Sequence, residues 1–383
     1  MSNDSNRTRQ KALLPRIAPA VVFVCLLLDI SLRFVPPRVF AFRASEALTI
    51  FASGNAPYVR NSFYRTERSF GDLSNLSNLP HARHYRREEF TTDANGYRNR
   101  KVPTKPFEGI LLLGDSFATA GTSDSQTLSE QFGNLSNCPV YNGGSSPEPM
   151  KLLNSLQMTH GLVIWEQSER RELFRPSLTE VLNHELSWKW RPIRRIVGDE
   201  GVQYLHGIMS YSPVTIVFGR VVKLLQNDEV FPNPYRNVVA EANLRNGQEM
   251  LFLQSELDNY QLDRPTDPAF YAARKNELEE KGIDLIVLLV PDKYVVYRDL
   301  LLPPPSGPDR EPFLDLVEKR LVAEGVPVIN LTPIFRERAR ALLDHDEYLY
   351  FLDDTHWNAK GIQEAAESIV ASQAFSGHSC RAE

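Results

Sequence analysis

Cysteine is nearly absent, with three residues in a chain of 383, so this is no disulfide-built scaffold. The 20 glycines and 26 prolines are too few for a collagenous or low-complexity chain. A basic excess is missing as well. The 43 Lys and Arg against 48 Asp and Glu leave a net charge of −5, which offers no footprint for a nucleic acid. No internal repeat is visible. What remains is a composition near the globular average, 42% hydrophobic and 24% charged. It is chain enough for a large core, in two domains or in one α/β domain carrying an insertion.

One segment departs from that average. Arg7, Arg9, Lys11 and Arg16 precede an apolar, uncharged stretch from Ile17 to Leu28. That stretch is too short for a spanning helix, which takes about 17–25 residues, and extending it to Val35 brings in Asp29, Ser31 and Arg33. Arginine near the far end snorkels, and the aspartate there is costly but tolerable. No A-x-A site closely follows Leu28, and Val24 stands where a lipoprotein signal has a small residue before Cys25. The expectation is a cytoplasmic tail over 1–12 and an uncleaved membrane anchor over 13–36, with a cleaved signal peptide as the alternative. Either places the rest of the chain outside the cytoplasm, by the positive-inside rule. An oxidising compartment there permits a disulfide between Cys138 and Cys380, and two unpaired thiols satisfy the sequence equally well.

Residues 37–105 hold few long apolar runs and many Arg, Asn, Ser and Tyr, so they read as a stalk and extended lead-in. Near their end Asn95-Gly96, between Thr-rich and Tyr-containing flanks, is a hairpin signal. From residue 106 to 375 short apolar runs alternate with amphipathic stretches. Ile110–Leu113, Val140–Asn142, Leu162–Trp165, Ile283–Val290 and Val326–Leu331 read as buried strands. Pro312–Glu324 reads as a helix with Phe313, Leu316, Val317 and Leu321 on one face and Gly325 as its stop. The alternation predicts an α/β fold with a mostly parallel sheet between helices. An insertion over 175–275 interrupts it. Trp188, Trp190, Arg191, Arg194 and Arg195, then the amphipathic run Val214–Leu225, would grip a polysaccharide, lie on a membrane or pack the insertion onto its host. Residues 376–383 read as a tail.

Two motifs carry chemistry. Gly114-Asp115-Ser116-Phe117 ends an apolar strand, and the capping box Thr127-x-x-Glu130 opens a helix soon after. A serine at the carboxyl end of a parallel strand lies where open α/β sheets place their sites. The second motif is Asp353-Asp354-Thr355-His356-Trp357-Asn358. Ile362, Ala365, Ala366, Ile369 and Val370 follow at helical spacing, so the last helix has one face for the sheet and holds the loop before it. Serine needs a base within hydrogen-bond reach, and the base needs a carboxylate to hold its tautomer. One loop supplies both: His356, with an aspartate two and three places earlier. The sequence calls for no metal and no cofactor.

These blocks resemble the SGNH (GDSL-type) hydrolases and acyltransferases. More narrowly, four motifs in order are similar to the alginate-type polysaccharide O-acetyltransferases: Phe90–Asn99 with its Gly-Tyr-Arg-Asn, then Gly-Asp-Ser-Phe, then Val290-Pro-Asp-Lys293-Tyr-Val-Val-Tyr297, then Asp354-Thr-His-Trp-Asn358. The resemblance implies an SGNH/flavodoxin-like three-layer sandwich in the periplasm on one inner-membrane anchor. Ser116 would be the acyl-accepting nucleophile and His356 the base. The Asp-x-His-Trp form selects Asp354, and the general hydrolase spacing selects Asp353. Val140-Tyr-Asn142-Gly143-Gly144 matches the second block, which implies an oxyanion hole from the N–H groups of Ser116 and Gly144. The third block, Gly-x-Asn-Asp, is absent; Arg170 stands near its place, as an oxyanion substitute or half of an ion pair. Lys293 and Tyr297 match a motif that implies substrate contact or loop packing. The implied activity is acetyl transfer through acyl-Ser116 to hydroxyls of an exported polysaccharide, with a membrane-bound O-acyltransferase as donor. The alternatives are an esterase or deacetylase of the same fold acting on cell-envelope carbohydrate, and a non-catalytic polysaccharide-binding or assembly protein.

Overall fold

The computed structural model of the chain describes residues 20, 23–32, 34, 41–49, 52, 56–170, 214, 238–260, 268–305 and 311–378. The chain divides into two units, Met1–Ala41 with Leu182–Pro232, and Phe42–Val181 with Asn233–Glu383. In the first, residues 23–32 are helical, with Phe23, Leu26 and Ile30 exposed. Among the described residues no helix is long and apolar enough to cross a membrane. The expected anchor over 13–36 lies largely outside the described residues, as do Trp188, Trp190, Arg191, Arg194, Arg195 and nearly all of 214–225.

The second unit is built on a five-stranded parallel sheet. Its strands are β3 (Ile110–Leu113), β4 (Val140–Asn142), β5 (Gly161–Ser168), β8 (Ile283–Val290) and β10 (Val328–Asn330), in the order β10-β8-β5-β3-β4. Unbroken apolar runs suit strands covered on both faces. Because side chains alternate across a strand, each run feeds two cores. Ile110, Leu112, Ile164, Ile286, Leu288 and Val290 join one, closed by helices Leu128–Ser136, Thr332–Leu343 and Ala359–Ala371. Leu111, Leu113, Val163, Leu285, Val287 and Leu289 join the other, closed by helices Pro149–Ser155, Ala269–Glu279 and Phe313–Ala323. This is a three-layer α/β arrangement. On the helix Phe313–Ala323 the most buried face is Leu314, Val317 and Leu321, while Leu316 is exposed. The face is therefore rotated from the one read in the sequence. On the last helix Ile362, Ala365, Ala366 and Ile369 are buried, as their spacing requires.

The chain leaves β3 toward β4 on one side and returns through β5, β8 and β10 on the other. The reversal leaves a crevice at the carboxyl end of β3, and Ser116 stands there.

The lead-in is folded rather than extended. Helix Ala44–Thr49 and the antiparallel pair β1 (Phe63–Ser69) and β2 (Arg86–Thr91) share a small core of Ala44, Leu48, Tyr58 and Phe90. Asn95-Gly96 forms a turn but no hairpin: the Asp93 carboxylate accepts from the N–H of Asn95 (2.8 Å) and Tyr97 (3.1 Å) and closes it. Within and just beyond the expected insertion over 175–275, residues 239–260 and 269–279 form regular elements. The strands β6 (Val239–Leu244) and β7 (Glu249–Leu253) pair antiparallel, and a short β9 (Leu301–Leu302) joins β6. Helix Ala269–Glu279 sends Tyr271 and Leu278 into the sheet's second core. Cys138 is disulfide-bonded; Cys380 lies outside the described residues.

Candidate active site

Ser116 opens a short helical turn, Ser116–Thr119, whose N-cap is Asp115. The Asp115 carboxylate accepts from Phe117 N–H (2.9 Å) and from Ser168 Oγ (2.6 Å), which ties the turn to β5. The preceding Gly114 is required by close approach, since a Cβ there would lie 2.3 Å from Glu166 Oε2. His356 is delivered from the far end of the chain. The Asn358 side chain caps the last helix, accepting from the N–H groups of Lys360 and Gly361. Buried Trp357 donates to the Phe117 carbonyl at 3.2 Å, so the histidine loop is bonded to the serine turn itself.

The result is a continuous chain of short hydrogen bonds. Ser116 Oγ lies 2.7 Å from His356 Nε2, and His356 Nδ1 lies 2.7 Å from Asp354 Oδ1. Ser116 is exposed. Burial pushes the Asp354 carboxyl up, but His356, Arg86 and Arg43 together hold it well below the usual carboxylate range. It therefore stays ionised opposite the imidazole.

The two aspartates of the motif do different work. Asp354 faces His356, whereas fully buried Asp353 accepts from Gly71 N–H (2.7 Å), His84 N–H (3.0 Å) and Arg86 Nη1 (2.8 Å). Arg86 bridges them, its second nitrogen donating to Asp354 Oδ2 at 2.8 Å. Gly71 admits no side chain here, because a Cβ would sit 1.8 Å from the Asp353 carbonyl oxygen. Thus Arg43, Gly71, Asp72 and Arg86, all from the lead-in, belong to the site. An Arg-rich segment upstream of a paired Asp-Asp is the only sequence signal for them, and it is weak. Arg98 of the Gly-Tyr-Arg-Asn motif is also buried. It donates to the carbonyls of Thr119 (2.6 Å) and Gly121 (3.0 Å), behind the serine turn.

Three expected contacts are corrected. The Gly144 N–H is spent on Asn142 Oδ1 at 2.9 Å, so it is not an open oxyanion donor. Ser116 N–H remains, since the first position of a helical turn has no acceptor within it. Lys293 does not meet substrate. It is buried, and its Nζ lies 2.6–3.1 Å from the carbonyl oxygens of Leu251, Phe351, Leu352 and Asp354, pinning the loop that carries Asp354. Burial lowers its pKa to about 8, against the pull of Glu256, Asp353 and Asp354. Tyr297 is buried too, and its hydroxyl accepts from Leu349 N–H at 2.8 Å. Arg170 lies 3.9 Å from Glu256, over the Phe117 ring, with 24% of its side chain exposed.

At the carboxyl ends of β5 and β8 sits a group of buried acids. Glu169 accepts from Asp292 N–H at 2.9 Å, and Glu256 accepts from Tyr294 N–H at 3.2 Å. Burial raises the pKa of Asp292 to about 6, raises Glu256 to about 8 with help from Asp292, and raises Glu169 well above its ordinary value. Raised carboxyls bind protons more tightly folded than unfolded. Their stabilisation is complete below the ordinary carboxyl range and is lost as pH rises through about 6 and then about 8. The melting temperature is therefore expected to fall across that window, and Glu256→Gln should flatten the fall. A thermal-melt series showing the same slope in both proteins would refute this.

Among the described residues two groups have ligand atoms within 4.8 Å of one another, close enough to hold a metal ion: Asp72, Asp354 and His356, and His81, Glu241 and Glu249. The first already spends its atoms on Thr355, Arg86 and the Asp354–His356 bond.

Residues 247–377 match the family described as SGNH hydrolase-like domain, acetyltransferase AlgX. The matched stretch holds Lys293, Asp353, Asp354 and His356; Ser116 lies outside it and is brought to it by the fold. No curated protein and no solved structure matches the chain.

Proposed function

We propose that this chain is a serine-dependent acetyltransferase that modifies hydroxyls of an exported polysaccharide. The observation that carries the reading is the unbroken Ser116–His356–Asp354 hydrogen-bond chain, and the similarity of 247–377 to an acetyltransferase domain supports it. In the first half-reaction His356 Nε2 takes the Ser116 proton as Oγ attacks the acetyl carbonyl carbon of the donor. The tetrahedral oxyanion collapses, the bond to the leaving group breaks, and His356 returns its proton to that group. In the second, a sugar hydroxyl gives its proton to His356 and attacks acetyl-Ser116; collapse releases the acetyl sugar and reprotonates Ser116. Asp354 holds the imidazole and balances its transient charge. The donor is a membrane-bound O-acyltransferase or its product, and the acceptor is a polysaccharide outside the cytoplasm. The basic N-terminus and the apolar segment after it support a single inner-membrane anchor with the catalytic unit in the periplasm.

A second reading, hydrolysis on the same serine, is favoured by the exposure of Ser116, because water reaches an acetyl group held there. The two differ in the fate of acetyl-Ser116. A sugar hydroxyl outcompetes water only if it is oriented, and orientation is worth effective molarities of up to roughly 10⁵–10⁸ M. The expected result is slow hydrolysis of an activated acetyl ester alone and an acetylated product, seen by mass spectrometry, when an oligosaccharide is added. Full-length protein should fractionate with membranes and be released by detergent but not by salt. Fast hydrolysis with no acetylated product on acidic or neutral oligosaccharides would favour the esterase.

A further inference from the structure

His356 faces two carboxylates, not one. Besides the Asp354 bond, Asp72 Oδ2 lies 3.6 Å from His356 Nδ1. Asp72 comes from the folded lead-in, at the start of helix Asp72–Leu76, and it is held firmly. Its oxygens accept from Thr355 N–H at 2.8 Å and Thr355 Oγ1 at 2.7 Å, while its own N–H donates to Asp354 Oδ2 at 3.2 Å.

The surrounding charges explain what a second carboxylate is for. Arg86 spans Asp353 and Asp354 with one guanidinium, and Arg43 lies 3.8 Å from Asp354 and 4.0 Å from Asp72. Two arginines thus lean on Asp354, which leaves its charge well compensated before the imidazole takes a proton. Asp72 shares Arg43 but lacks the direct guanidinium hydrogen bond that Asp354 has from Arg86. Arg43 sits at the edge of ion-pair range, Arg170 attracts it only from further off, and the Thr355 donors are neutral. The groups bearing on His356 are therefore Asp354, Asp72 and the Thr355 hydroxyl (3.3 Å from Nδ1) directly, Arg86, Arg43 and the more distant Lys293 through those carboxylates, Ser116 at the other ring nitrogen, and Arg170 across the Phe117 ring that packs against the imidazole.

We propose that Asp72 is a positioning residue that shares with Asp354 the charge of the His356 imidazolium, so that the lead-in completes the catalytic machinery. The proposal rests on the serine-dependent reading above. Asp354 orients the ring by its hydrogen bond; Asp72 supplies the less compensated negative potential at the moment Ser116 gives up its proton.

The test is the burst of p-nitrophenol released from p-nitrophenyl acetate by the detergent-solubilised full chain, followed against pH. Asp72→Asn is expected to slow the burst about tenfold and to move the ascending limb of its pH profile down by about one pH unit, because a nearby charge within about 4–6 Å changes proton affinity by that order. Asp72→Glu should restore the limb toward its original place. Thr355→Val removes a hydroxyl that Asp72 holds and that lies 3.3 Å from His356 Nδ1, but no charge, so it should move the limb far less than Asp72→Asn does. Arg43→Gln should move the limb up, and if Asp72→Asn shows no thermal unfolding transition, Asp72→Ser, which also removes the charge, decides the matter by the same downward shift. The proposal is overturned if Asp72→Asn leaves rate and limb unchanged, if Thr355→Val reproduces its shift, or if Arg43→Gln leaves the limb in place. A burst that persists in Ser116→Ala, or none in the unmodified chain, would instead sink the serine reading, and this proposal with it.

Discussion

Ser116→Ala is expected to abolish acetyl-enzyme formation, with kcat falling on the order of 10⁶-fold while the fold is kept. Loss of a serine nucleophile from such a triad has about that effect, since what remains is only binding and oxyanion stabilisation. The structure gives the substitution little to disturb. Ser116 is exposed, and its Oγ bonds His356 rather than the core. The measurement is intact-protein mass spectrometry after an activated acetyl ester: unmodified protein should gain one acetyl group, and the alanine variant none. Acetylation that persists in the variant would place the nucleophile elsewhere.

Asp354→Asn and Asp353→Asn are expected to separate chemistry from folding. Asparagine at 354 can hold the imidazole only in the wrong tautomer, so kcat should fall about 10⁴-fold, and because the buried carboxylate also pairs with Arg86 some stability is lost with it. Asp353 never touches His356. It is buried against Arg86 and three further donors, the N–H groups of Gly71 and His84 and the Ser74 hydroxyl. Removing its charge leaves Arg86 with Asp354 alone and turns an amide N–H₂ toward Arg86 or the backbone N–H groups, which only donate, a loss of up to about 3–5 kcal/mol by the usual cost of breaking a buried pair. Denaturant melts and initial rates on both variants check the split. A stable but inactive Asp353→Asn beside an active Asp354→Asn would reverse the roles.

How much of this was legible without coordinates depends on how far apart in sequence the cause lies. Strands β3, β4, β5 and β8 were readable because a parallel strand buried on both faces is mostly apolar, and that is a property of a few consecutive residues. The last helix was readable from its spacing. Ser116 was readable as a strand-end serine, and His356 as a histidine just before a capped helix, since both positions follow from local structure. The lead-in was misread as extended because its few apolar residues, among them Ala44, Leu48, Tyr58 and Phe90, are scattered and meet only after folding.

By itself, then, the sequence determined the α/β alternation, the two faces of the sheet, and the three residue types a serine mechanism needs, all of them consequences of side-chain period and turn chemistry. Only the tertiary structure decided which aspartate serves the histidine, that Gly144 already has an acceptor, that Lys293 and Tyr297 brace a loop, and that Asp72 stands beside His356. Each of those is a matter of about an ångström between groups, some two positions apart, as Asn142 and Gly144 are, and some far apart in the chain, as with Gly71 and Asp353, 282 positions apart. Hydrogen bonds discriminate on that scale, since a few tenths of an ångström and a few tens of degrees separate a bond from none. Residue spacing carries no such information, because it is fixed along the chain while the bond is fixed in space.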